Sequence, residues 1–360
     1  MTDEVAAWFR HQAADCEWVS NLNFDGWSLS VRTNSAALKR ELDGYYRHFL
    51  SAAAPGHTVF AVQAPVPVMA LDWVVNAPGY GKKKVKEQVG RLTGGHVVRK
   101  IQTGVHLAYL GGDRICAGPL LENPSQVINF INNVYLDSLL QQDGQLFHAA
   151  GVCIDDHGVG LAGLSGRGKS TLALHLLELG MNLVSNDRLV VCSSVTGLRM
   201  RGIPKYPRIN PGTIINQAGL LPLARADDIA RWRAMPAPAL WQLEEKYDAP
   251  VEDCFPGCEF LLSANLEIFV LLDWRPEILA PFQLEAVSIE QVIDLLPAAM
   301  KAPGVLLPTA ADRIGELNPE DYRDLLAQTR LYRLHGGVDF RGAASALWSL
   351  VAGQRGLAGE

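Results

Sequence analysis

The stretch Gly163-Leu-Ser-Gly-Arg-Gly-Lys-Ser-Thr171 decides how the rest of the chain is read. It fits G-x-x-x-x-G-K-[ST], a spacing with a physical logic. Glycines at 163, 166 and 168 free the backbone from the limits a Cβ imposes, so successive N–H groups can turn inward as an anion nest. Lys169 would reach the β- and γ-phosphates of a nucleotide, and the Ser170 hydroxyl would sit on Mg²⁺. Ser165 and Thr171 lie within the same turn. Arg167, in the middle of the loop, reads as an exposed variable position. The surroundings agree. Val159 to Ala162 is a short apolar run of strand type, Thr171 to Leu179 is an apolar helix, and Gly180 falls where a helix C′ glycine belongs. The plain alternative is an ordinary glycine turn before a buried helix.

The chain has 360 residues, enough for two domains with sizeable cores. Its 32 basic and 38 acidic side chains give a net charge of −6, which argues against nucleic acid as the main partner. Asp3 and Glu4 stand where a signal peptide would be basic and then apolar, and no uncharged stretch is long enough to span a bilayer. The six cysteines (Cys16, Cys116, Cys153, Cys192, Cys254 and Cys258) include no C-x-x-C pair, so reduced thiols and a cytoplasmic location away from membranes are expected.

In chain order, residues 1 to about 18 read as a partly amphipathic helix. Phe24 to Thr33 reads as a strand, Ser35 to Phe49 as a helix, and Val59 to Val62 and Val68 to Val74 as short strands. Val97 to Gln102, Val105 to Tyr109 and Arg114 to Cys116 suggest an antiparallel meander. The run Lys82-Lys83-Lys84-Val85-Lys86 could meet phosphate or an acidic partner, or be a solvated loop. Residues 1–120 are therefore expected to form an α+β domain of unknown role, and residues 121–360 a second domain beginning with a helix after Asn123-Pro124. In that second domain Phe147 to Ile154 and Val159 to Ala162 read as a hairpin. Leu183-Val184 and Leu189 to Val191 bracket Asn186-Asp187, and Leu266 to Trp274 is a strongly apolar strand. Arg199 to Arg208 reads as a basic segment interrupted by prolines, and Trp232 to Cys258 as irregular. Helical spacing recurs at Ser288 to Leu296, Pro319 to Thr329 and Ala343 to Val351, with a strand at Leu331 to Leu334.

Three groups could carry chemistry. Asp187 follows the loop by one helix and one return strand, where an acid could hold Mg²⁺; the plain alternative is a turn aspartate. His148 opens the strand that pairs with the loop's own strand, and is either near the phosphates or a packed core histidine. Arg201, Lys205 and Arg208, with Arg199, could neutralise a transferring phosphoryl group or bind an acidic substrate, or be ordinary surface charge.

Phe147 to Val191, with the glycine loop, the helix ending in Gly180 and the Asn186-Asp187 turn, resembles the core of the HPr kinase/phosphorylase family, in particular its bacterial HprK-related kinase B branch. Arg201-Gly202-Ile203 is similar to the family's E-I-R-G-[ILV] segment. Leu331 to Leu334 and Gly337 to Phe340 resemble that branch too. The clear motifs cover about Phe147 to Gly212. The resemblance implies an α/β fold with a P-loop kinase core related to phosphoenolpyruvate carboxykinase, beside the N-terminal α+β domain. It implies ATP and Mg²⁺, transfer of the γ-phosphoryl group to a hydroxyl of a protein serine or a small molecule, and assembly into oligomers, since the family forms hexamers. By motif position His148 matches the family's site histidine, Lys169 and Ser170 its loop lysine and metal ligand, and Asp187 the second acid of an Asp-Asp pair. Two positions depart. Asn186 stands where the family has its proposed base, and an amide takes no proton at neutral pH. Arg199 stands where a metal-holding glutamate is expected. A nucleotide-binding switch without phosphoryl transfer is the alternative that these departures motivate.

Overall fold

The computed structural model describes residues 2–75, 85–243, 245–304, 306–307 and 317–355. Lys82, Lys83 and Lys84 of the basic run lie outside the described residues. The chain is mixed α/β and divides into two compact units, residues 1–138 with 303–315, and residues 139–302 with 316–360.

The first unit is built on an eight-stranded sheet. Its elements are α1 (Thr2–Ala14), β1 (Trp18–Phe24), β2 (Trp27–Thr33), α2 (Ala36–Tyr45), β3 (His57–Gln63), β4 (Trp73–Val75), β5 (Glu87–Leu92), β6 (Gly95–Lys100), β7 (His106–Leu110), β8 (Asp113–Gly118) and α3 (Pro124–Leu140). The spatial order is β1-β2-β3-β8-β7-β6-β5-β4. β6, β7 and β8 are the antiparallel meander expected from the sequence, whereas β3 pairs in parallel with both β2 and β8. The extended stretch at Phe24 to Thr33 is a hairpin, not one strand: β1 precedes it, and Asp25 and Gly26 turn at positive φ. The unit runs to Ser138 rather than to residue 120, and most of α3 goes with it. The Tyr46 hydroxyl donates to Asn132 Oδ1 on α3 at 3.0 Å, in a fully buried setting.

The second unit contains β9 (Gln145–Phe147), β10 (Ala149–Ile154), β11 (His157–Gly163), α4 (Lys169–Glu178), β12 (Asn182–Ser185), β13 (Leu189–Ser194) and β14 (Gly197–Arg201). These are followed by β15 (Arg208–Ile209), α5 (Pro211–Ile214), α6 (Ala226–Arg233), α7 (Ala237–Gln242), β16 (Tyr247–Asp248), α8 (Val251–Cys254) and β17 (Ser263–Leu272). The chain closes with β18 (Gln283–Ala286), a 3₁₀ helix (Ile289–Ala298), α9 (Pro319–Leu326), β19 (Arg330–His335) and α10 (Phe340–Arg355). The main sheet runs β12-β10-β11-β17-β14-β13-β9, with β19 alongside β17 and β18 on β19. β11, β17 and β19 are parallel neighbours, and their C-terminal ends share one side of the sheet. That side carries the glycine loop. Phe147, Phe269, Leu271, Met200 and Tyr322 are core residues here, all fully buried.

Two sequence readings change in this unit. Phe147 to Ile154 is not one strand: β9 pairs with β13, β10 pairs with β11, and His148 is the break between them. The basic segment Arg199 to Arg208 begins within β14, which forms a hairpin with β13 turned at Gly197 with φ +126°. Trp232 to Cys258 holds short helices rather than irregular chain.

Candidate functional site

The glycine loop joins β11 to α4. Gly166 and Gly168 adopt φ of +83° and +81°, a region that strains any residue with a Cβ. At Gly168 space forbids one as well, because a Cβ would come within 2.6 Å of the Phe340 ring. Phe340 opens α10, stands edge-on to the buried Trp274 with ring centroids 5.0 Å apart, and stacks on His175 of α4 at 5.8 Å. The loop is therefore backed by two aromatic rings. Arg167 is not the exposed position expected. Its Nη1 donates to the Trp274 carbonyl at 3.0 Å, and the Trp274 indole N–H donates to the Arg167 carbonyl at 2.8 Å. This residue fastens the loop to the chain beyond β17.

A cavity of about 590 Å³ opens over the loop. Ser165, Gly166, Gly168, Lys169, Ser170 and Thr171 all line it, while Gly163 and Arg167 do not. The first residues of α4, whose N–H groups lack partners within the helix as at any helix N-terminus, line this cavity. Lys169 is buried, and its Nζ donates to the Gly163 carbonyl at 2.7 Å. Burial depresses its pKa, and the carboxylate of Asp187 opposes the shift. The Thr171 hydroxyl lies 3.4 Å from that of Thr213 on α5.

His148 and Asp187 line the same cavity. Asp187 sits in the tight turn between β12 and β13, closed by a hydrogen bond of 2.6 Å from the Ser185 hydroxyl to the Arg188 carbonyl. His148 reaches it from the β9–β10 break, with Nε2 2.9 Å from Asp187 Oδ1. Asp187 Oδ2 accepts from Lys301 Nζ at 2.5 Å. Burial alone would raise the pKa of Asp187. The hydrogen bonds from His148 and Lys301 outweigh it and hold the carboxyl well below the ordinary range.

Lys301 had no sequence signal. It follows the 3₁₀ helix and is positioned by a strand-like crossing: His148 N donates to the Ala299 carbonyl at 2.8 Å, and Phe147 bridges Met300. The Tyr322 hydroxyl secures both sides, accepting from Lys301 N at 3.3 Å and donating to the Leu146 carbonyl at 2.9 Å.

The basic residues divide. Arg208 lines the cavity over the loop, and Lys205 lines a second one of about 200 Å³ that shares Asp187 and Arg208 with the first. Arg201, at the end of β14, lines neither. Arg199 lies at the opposite end of the sheet. Its guanidinium contacts Asp156, Asn265 Oδ1 and Ser263 Oγ, the last at 2.9 Å.

Among the described residues no group of three or more His, Cys, Asp or Glu side chains could hold a metal by itself. Ser170 and Asp187 together supply one hydroxyl and one carboxylate. That set suits Mg²⁺ only when substrate phosphates complete the shell, which is this ion's usual habit. All six cysteines are free thiols. Among the described residues no helix is long and apolar enough to cross a membrane.

No family model matches the chain, and no curated protein matches it. Among solved structures it is similar to the HPr(Ser) kinase/phosphatase from Coxiella burnetii, with 14% identity and a TM-score of 0.28 over 59% of this chain and 96% of that one. A likeness at that level carries no argument about activity.

Proposed function

We propose that the chain is an ATP-dependent kinase of P-loop type, akin to HPr kinase, that moves the γ-phosphoryl group to a hydroxyl. The observation that carries this reading is one cavity lined at once by the glycine loop, Lys169, Ser170, His148 and Asp187. Loop amides and Lys169 would bind the phosphates. Ser170 and Asp187 would hold Mg²⁺, which when bound neutralises phosphate charge.

The His148–Asp187 pair would give the proton a route. With Nε2–H donating to Asp187, Nδ1 is the ring nitrogen left to accept. The acceptor's hydroxyl proton passes to His148 Nδ1 as its oxygen bonds to the γ-phosphorus, and the bridging oxygen departs with ADP. Asp187 fixes the tautomer and steadies the imidazolium that results. This role does not need the carboxylate missing at Asn186. Arg208, which lines the same cavity, would offset charge on the transferring group.

The reading is tested by incubating the protein with γ-labelled ATP, Mg²⁺ and a cell extract, beside His148→Gln. A labelled acceptor formed by the wild type and at least ~100-fold less by the variant is expected. ATP bound with no acceptor labelled would overturn it. A switch that binds nucleotide without transfer is the second reading. It draws on Asp187, both of whose oxygens already have protein partners.

A further inference from the structure

The first unit carries a cavity of its own, of about 600 Å³, a size typical of sites for small molecules. Among the described residues, all that line it belong to that unit. One wall is the segment between β3 and β4, which contributes Pro65, Val66, Pro67, Val68 and Met69, and Trp73 of β4 continues it. That wall is fixed at both ends. At its start the Asn34 side chain bonds the Gln63 backbone twice, at 2.8 and 3.1 Å, and Ala64 N donates to the Gly118 carbonyl at 3.3 Å. At its end the Trp73 indole N–H donates to the Met69 carbonyl at 3.4 Å. Two prolines hold φ between these ties, so little chain entropy is left to lose when a ligand arrives.

β6 and β7 supply polar groups. Arg99 and His106 stand directly opposite each other in the antiparallel register, so their side chains share one face of the sheet, and both line the cavity. His106 is buried, and its Nδ1 donates to the Gly104 carbonyl at 2.9 Å. Burial, joined by the Arg99 charge, outweighs that bond and brings the imidazole down to about 4, so the ring is neutral at pH 7. Gln63 Oε1 accepts from Leu121 N at 2.9 Å. Arg99 is exposed, and among the described residues its guanidinium has no hydrogen bond or ion pair. The nearby Glu87 is engaged by Lys100 at 2.6 Å. The described lining thus holds one formal positive charge and no carboxylate. Such a cavity suits a ligand with an apolar body and a single negative charge, and the planar guanidinium fork matches a carboxylate.

We propose that this cavity binds a small apolar monocarboxylate, with its carboxylate on Arg99 and its hydrocarbon against Pro65, Val66, Met69 and Trp73. The site gives the first unit a binding role. It stands apart from the kinase reading, because none of its described lining residues lines the cavity over the glycine loop.

Calorimetric titration of the full-length protein tests it. The probes are hexanoate and hydrocinnamate, the matching alcohols hexanol and hydrocinnamyl alcohol, and acetate as an acid without a body. One molecule of hexanoate or hydrocinnamate per chain is expected, bound at least about tenfold more tightly than its alcohol and than acetate. Which of the two acids binds more tightly identifies the body as aliphatic or aromatic. Arg99→Gln should weaken that acid about tenfold or more and change the alcohol less than about twofold, with Arg99→Lys recovering part of the loss. Arg99→Gln should unfold at the wild-type temperature, because the side chain it replaces is exposed, so loss of fold cannot mimic loss of binding. No binding of either acid, an alcohol or acetate bound as tightly as the acids, or an affinity that ignores Arg99→Gln overturns the proposal and leaves the kinase reading standing.

Discussion

The two ends of β11 make an instructive pair. At its start, Arg199 with Asp156, Asn265 and Ser263, and His157 with Glu267 and Arg330, form a dense polar cluster. At its finish, Gly163 leads into the loop beside Lys169, His148, Asp187 and Lys301. Both ends are rich in charge. At the first, the side chains bond to one another across neighbouring strands and line none of the cavities described. At the second, Lys169, His148 and Asp187 surround a space large enough for a nucleotide. Charge alone does not mark a site; charge held around a cavity by groups with room for a ligand does.

Substitutions at the two ends of β11 should have different effects. Asp187→Asn should lower phosphoryl transfer by about 10²–10⁴-fold, since it removes the partner that sets the His148 tautomer. Initial rates with labelled acceptor check it, and a rate within threefold of wild type would remove Asp187 from the mechanism. Gly168→Ala meets both an unfavourable φ and the Phe340 ring, so thermal unfolding should show a loss of about 1–3 kcal/mol. Adding Phe340→Ala to that variant should recover only the steric part.

Acid stability separates the ends more finely. The pKa of Asp187 is depressed in the folded chain, so its contribution is present above the unfolded value of about 3.9 and is lost as pH falls below it. Wild type should therefore lose more stability than Asp187→Asn between about pH 5 and pH 2, as measured by denaturant titration. Arg199→Ala, at the other end, should cost within about 1 kcal/mol and leave transfer rates unchanged, because its partners are half exposed.

What the sequence made legible follows from distance along the chain. The strand, loop and helix from Val159 to Gly180 are encoded within about twenty residues, and the expected order is the one observed. Asp187 and His148 were legible as candidates because each lies one element from the loop. The break at His148 was not. Phe147 and Ala149 pair with different strands, and that is decided by β13 arriving from forty residues away. β1 was missed because its buried positions include Ser20, which bonds to Asp43, so apolar alternation fails there. Lys301 was invisible because it is 114 residues from Asp187 and sits in a stretch without a motif. Arg167 was misjudged because its partner, Trp274, lies 107 residues on.

The proposed function requires that the loop end of β11 bind nucleotide phosphate through Lys169. Calorimetric titration of Mg²⁺-ATP into the wild type, Lys169→Met and Arg199→Ala tests it most directly. One ATP per chain is predicted for the wild type and for Arg199→Ala with equal affinity, and for Lys169→Met an affinity at least about 100-fold weaker. Equal binding by Lys169→Met, or none by the wild type, would contradict it.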